Sequence, residues 1–144
     1  MKNLDLMSPK KKLFKYKPLI GIRAINYAYN ANVRVHARYY KNYWTNGDDF
    51  QHALWSALMA KDFGHVYAKK WGDAHEQNSK GLDKQMDLFN NEQGKKIVNN
   101  VSGNMRSSFW QPRLEAEIIK NIDAGNLRRI VNNRLVKTDY SGKR

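Results

Sequence analysis

Two of the four histidines, His52 and His75, stand in a stretch unlike the rest of the chain. Residues 46–94 carry eight acidic side chains against five basic ones, whereas residues 1–45 carry ten basic against one acidic and residues 95–144 eleven against four. Imidazole and carboxylate side by side do two kinds of chemistry. A carboxylate orients and polarises an imidazole that moves a proton, and the same two groups ligate zinc, iron or manganese. Asp49 and His52 lie three residues apart, a spacing that puts both on one helical face. His75 and Glu76 are adjacent, so they diverge by about 100° on a helix and share a site only from a helix end or flank. Asp87, Asn90 and Gly94 follow one another along the edge of a third segment. The candidate catalytic groups are therefore His52, His75, Glu76, Asp49 and Asp87, and a divalent metal ion would take His52, His75 and Asp87 as ligands. Asn90 and Asn91, with Lys10, Lys11, Lys12, Arg34 and Arg38, are the candidates for holding substrate. No stretch has the HExxH spacing or the calcium-loop pattern, so composition alone names no metal.

Each candidate has a plainer reading. A histidine beside Trp or Ala on a helix serves as a hydrogen-bonded packing residue, and Asp49 and Asp87 near amino-terminal turns serve the helix dipole. Trp55, Trp71 and Trp110 read as core.

The elements that must position these groups are mostly helical. Residues 1–17, with Lys10, Lys11, Lys12, Lys15 and Lys17 around Pro9, read as a basic, partly ordered arm, and residues 18–144 as a single domain. Pro18 to about Tyr40 suits a helix that weakens near Asn30 and Asn32. Asn46-Gly47 marks a turn, with Asp48 as N-cap of a helix running to Phe63. Gly64 breaks it. Helices follow over His65 to Glu76 and Leu82 to Val101, then a loop, then a helix from Pro112 that Gly125 ends. Leu127 to Val136 reads as two short strands about Asn132-Asn133, because Asn tolerates the positive φ of a tight hairpin. The fold class is mainly α, a compact multi-helix domain with a short C-terminal β-hairpin.

The 144 residues contain no cysteine, which excludes disulfides, thiolate zinc sites and a cysteine nucleophile. No window reaches the roughly 20 apolar residues of a membrane span, and the amino end lacks the apolar core of a secretory signal. A soluble chain without a signal peptide for the general export route fits these features. The net charge of +13 favours a polyanion, either nucleic acid or a phospholipid or cell-envelope phosphate ester, held by salt-sensitive contacts.

The runs DDFQHALWSALMAKDFG, WGDAHE, MDLFNNEQGKKI and GNLRRIVNNRLV resemble an uncharacterised, mostly helical bacterial domain found alone or at the carboxyl end of secreted and polymorphic-toxin-type proteins. The resemblance covers residues 44–137, and its motif positions fall on Asp49, His52, Trp55, Ala74, His75, Glu76, Met86, Asp87, Leu88, Asn90, Asn91 and Gly94. Gln51 stands where the pattern has Arg, and Trp55 follows His52 by three residues in place of four. The resemblance implies an effector setting, a protein made in the bacterial cytoplasm and delivered to another compartment or cell, with a cognate acidic inhibitor protein as a further partner, and no established reaction. The leading expectation is a small basic hydrolase acting on an anionic phosphate-containing substrate, most simply nucleic acid. The alternative is a non-catalytic polyanion-binding module whose His and carboxylate cluster is structural.

Overall fold

Proline fixes where the first two helices begin, since its locked φ suits a first helical turn and its missing N–H costs nothing there. In the computed structural model, which describes residues 8–39 and 45–140, α1 (Pro9–Tyr16) opens under a Ser8 cap whose Oγ accepts from the Lys11 N–H at 3.3 Å. α2 (Pro18–Arg38) follows at once. α1 folds back on it, and the Phe14 ring lies so close over Gly21 that a Cβ there would meet the ring at 2.5 Å. The start of the expected basic arm (residues 1–7), the Tyr40 end of the second helix and the last four residues lie outside the described residues.

The remaining helices are α3 (Asn46–Phe63), α4 (His65–His75), α5 (Gly81–Val98) and α6 (Trp110–Asp123). α3 is the axle of the domain. It packs against α2, α4, α5 and α6, and every residue from Ala53 to Ala60 is buried. Its start corrects one expectation: Thr45 is the N-cap, accepting from the Gly47 N–H at 3.2 Å, and Asp48 sits inside the first turn. Gly64, at φ 94°, turns α3 into α4. Between α3 and α5 the backbones approach so closely at Gly94 that a Cβ would drive into the Ala53 carbonyl. The antiparallel hairpin, β1 (Arg128–Val131) and β2 (Arg134–Lys137), pairs Val131 with Arg134 across Asn132 and Asn133, at φ 52° and 60°. Among the described residues no helix is long and apolar enough to cross a membrane.

α2 runs unbroken through Asn30 and Asn32, against the expected weakening, because α6 supplies what propensity lacks. Asn30 and Gln111 exchange reciprocal amide hydrogen bonds of 3.1 and 2.8 Å. Beside them Glu115, 1% exposed, accepts two bonds from Arg34 at 2.9 and 2.8 Å, one from Arg38 at 3.0 Å and one from Gln111 at 3.1 Å. Burial alone would raise the Glu115 pKa, but the bonds from Arg34, Gln111 and Arg38 outweigh it and hold it below its usual value. A depressed carboxylate contributes stability above its unfolded pKa and loses it as pH falls through the folded one. Glu115→Gln should therefore cost about 1–2 kcal/mol at pH 7, and the gap to the wild type in urea titrations should narrow as pH drops below about 4. An equal gap at all pH values would contradict this.

Candidate active site

The helical repeat brings Asp48 and His52 together, one turn apart on the outer side of α3. α4 ends beside them, and α5 closes the arrangement from behind. His52 Nε2 stands 3.4 Å from Asp48 Oδ1 and 3.3 Å from Asp87 Oδ1. His75, at the end of α4, faces the same ring, with centroids 6.2 Å apart, and its edge rests on Trp55 at 5.2 Å. Its Nε2 is 3.9 Å from Oε2 of Glu76, whose side chain is buried. The adjacency of His75 and Glu76 is compatible with one site because the helix stops there.

In front of the two imidazoles lies a cleft of about 390 Å³. Its polar lining is Lys10, Asp48, Gln51, His52 and His75, and its apolar wall is Ala24, Ile25, Ala28, Ala31, Trp55 and Trp71. The small residues of α2 make the space, and Trp55 Nε1 donates to the Ala24 carbonyl at 3.0 Å to pin α2 and α3 beneath it. Trp55 and Trp71 are thus both core and wall.

The two rings differ sharply in environment. Burial opposes charge on His52, but its hydrogen bond to Asp48 and the negative charges of Asp87, Asp48 and Glu76 prevail and push it up to about 9. His75, with 44% of its side chain exposed, goes the other way: partial burial, the nearby Lys10 and the charge of His52 lower it despite Glu76. Asp87 is pushed up by burial, by Glu76 and Asp48, and by a hydrogen bond shared with Glu76, against the pull of His52. At neutral pH these surroundings favour a charged His52 beside an uncharged His75.

The other candidate residues lie elsewhere. Asp49 is fully buried, raised by burial and by Asp48, and its Oδ1 accepts from Asn90 Nδ2 at 2.8 Å. Asn90 also donates to the Arg128 carbonyl at 2.8 Å and accepts from the Arg128 N–H at 3.0 Å, so its amide ties α3, α5 and β1 together and does not reach the cleft. Asn91 is buried against Gly72 on the other side of α5. Arg34 and Arg38 are taken up by Glu115. Of the three lysines only Lys10 lines the cleft; Lys11 is exposed on α1, and Lys12 borders a shallow hollow with Asp73 and Lys84. Sequence reasoning missed Asp48 and Gln51 as site residues. Asp48 was signalled by its i, i+4 spacing to His52, which the N-cap reading obscured.

One ligand atom each from Asp48, His52 and Asp87 lie within 4.8 Å of one another, the only such group among the described residues. The two imidazole-to-carboxylate distances, 3.4 and 3.3 Å, are close to the roughly 3.4 Å chord between two ligands of a tetrahedral ion held about 2.1 Å from each. The buried Asp87 Oδ1 also lacks a hydrogen bond. These residues fit a small divalent cation; Asp48 takes the place expected for His75. The other ring nitrogen of a metal-bound imidazole ordinarily donates to a carboxylate or carbonyl, but His52 Nδ1 is buried with no such partner among the described residues.

Residues 11–124 match a family model described as a domain of unknown function, DUF6973, and the chain belongs to that family. The match ends before the hairpin. No curated protein and no solved structure matches the chain.

Proposed function

We propose that this DUF6973 member is a small basic hydrolase that cleaves an anionic, phosphate-bearing ester in the Lys10, His52 and His75 cleft. The observation that carries the reading is the pair of imidazoles facing each other 6.2 Å apart on the cleft floor, one reachable and one backed by the half-buried carboxylates of Asp48 and Asp87. Groups whose environments drive their protonation apart are how one site runs acid and base chemistry together. His75, uncharged and reachable, takes a proton from water. The hydroxyl adds to the ester's reacting centre while the charged His52, fixed by Asp48 and Asp87, stabilises the negative charge that develops, and His75 passes the proton it took to the departing ester oxygen. Lys10 holds the phosphate by charge, without reading sequence. An effector setting fits this reading, and an acidic inhibitor protein would cover the same basic face.

A second form of the same site rests on the Asp48, His52 and Asp87 distances. Those three residues would hold a divalent cation, which supplies Lewis-acid charge where the imidazolium otherwise does. His75 keeps its role as base.

The pH–rate profile on RNA, DNA and phospholipid, run with and without chelator, tests both. In the metal-free form, activity rises through a pKa below the ordinary histidine value of about 6.5 and falls near 9, where His52 loses its charge. In the metal form, chelator abolishes turnover and the fall near 9 is absent. Salt-sensitive binding to a polyanion with no turnover on any substrate, with or without added zinc or manganese, would instead establish the non-catalytic module.

A further inference from the structure

α2 has a second apolar face that stays exposed among the described residues. Its inner face, Gly21, Ala24, Ala31 and Val35, is buried. Leu19, Ile22, Ile25, Tyr29 and Val33 are 73%, 48%, 55%, 71% and 48% exposed. Their spacing confines them to an arc of about 120° and spreads them over roughly 21 Å of helix. A helix buried on one side has no folding reason to keep five large apolar residues in water, and a contiguous patch of this kind marks an interaction surface. Ile25 belongs to both, standing in the stripe and in the wall of the cleft. The stripe therefore borders the cleft at its middle.

Charge identifies the occupant. Residues 8–39 carry eight basic side chains and no acidic one. Arg23, Arg34 and Arg38 are engaged by Asp62 and Glu115. Lys10, Lys11, Lys12, Lys15 and Lys17, all exposed, fall on α1 and its junction with α2. Tyr16, 72% exposed, stands among them. A wide apolar stripe flanked by lysines and amphipathic aromatics is the composition of a helix that lies in the headgroup region of an anionic bilayer. Nucleic acid would satisfy the lysines and leave Leu19, Ile22 and Val33 in water, and a second copy of this chain would set like charges against each other.

We infer that the exposed stripe of α2 and the lysines of α1 dock the protein on an anionic phospholipid surface, with the cleft mouth facing the lipid. Combined with the hydrolase reading, on which only this step rests, the phosphate-bearing ester is a membrane phospholipid: its headgroup would meet Lys10 and the imidazoles while its acyl portion runs along Ala28, Trp55 and Trp71.

Co-sedimentation of the full chain with vesicles tests the docking. Wild type should bind phosphatidylglycerol-containing vesicles, bind pure phosphatidylcholine vesicles at least tenfold less, and retain measurable binding to the anionic vesicles at 0.5 M salt. A variant carrying Leu19→Ser, Ile22→Ser, Tyr29→Ser and Val33→Ser, confirmed folded by its thermal transition, should lose at least tenfold in apparent affinity; Ile25 is left intact because it lines the cleft. Wild-type binding of anionic vesicles that the four-serine variant matches would overturn the docking. So would tighter binding of a duplex or single-stranded oligonucleotide than of the vesicles, or a wild-type dimer that the variant dissolves. Vesicle binding that depends on the stripe, without release of any lipid product by wild type, would leave the docking standing and remove the hydrolase reading.

Discussion

His75→Ala should lower the hydrolytic rate by roughly 10²–10⁴-fold and leave the fold in place. His75 is the reachable ring of the pair, and nearly half of its side chain is in solvent. Its ring packs edge-on with Trp55 at the margin of the core, so the thermal transition should shift by no more than about 1 kcal/mol allows. The conservative His75→Gln keeps much of that contact and removes the base, so it should be as inactive as the Ala variant. A structural role would give the opposite pattern: little change in rate per folded molecule, a lowered transition, and partial rescue by Gln. Initial rates and unfolding midpoints measured on the same preparations separate the two.

Gly94→Ala should be the most damaging single methyl group in the domain. Glycine is needed there for space, since α5 is regular and a Cβ would collide with the backbone of Ala53. Backbone cannot rotate aside as a side chain would, so α3 and α5 must separate, at a cost of about 3 kcal/mol or more. That separation also pulls Asp87 away from His52 and strains the Asn90 bond to Asp49. Reduced yield, a transition lowered by about 6–10 °C for a domain of this size and loss of any activity are the expected results. A variant of wild-type stability would mean that the two helices do not approach as described.

Local signals carried most of the fold. Pro18, Gly64 and the Asn132-Asn133 pair each act on their own backbone, and all mark boundaries that the structure keeps, whereas the helix from Pro9 to Tyr16 stands where a partly ordered arm was expected. The site was half legible for the same reason. His52 and Asp87 were visible as ionisable groups on helix faces, but the one-turn pairing of Asp48 with His52 requires Asp48 to lie inside the helix, whose cap, Thr45, stands three residues before the expected one. Partners distant in sequence were invisible. Arg34 and Arg38 look like free cations until Glu115, 81 and 77 residues away, is folded against them. Asn90 looks available until Arg128 arrives from the hairpin. The apolar wall escaped notice because Ala24, Ala28 and Ala31 read as ordinary helix formers, and only packing shows that their small size leaves a cleft.

The claim beneath the proposed chemistry is that two facing imidazoles hold opposite charge states at neutral pH. Proton NMR titration of the histidine ring signals in chelator-treated protein, assigned through His52→Gln and His75→Gln, measures it directly. His52 should stay charged until about pH 9 and His75 should lose its proton below the ordinary value of about 6.5. Both rings titrating together near 6.5 would contradict the account.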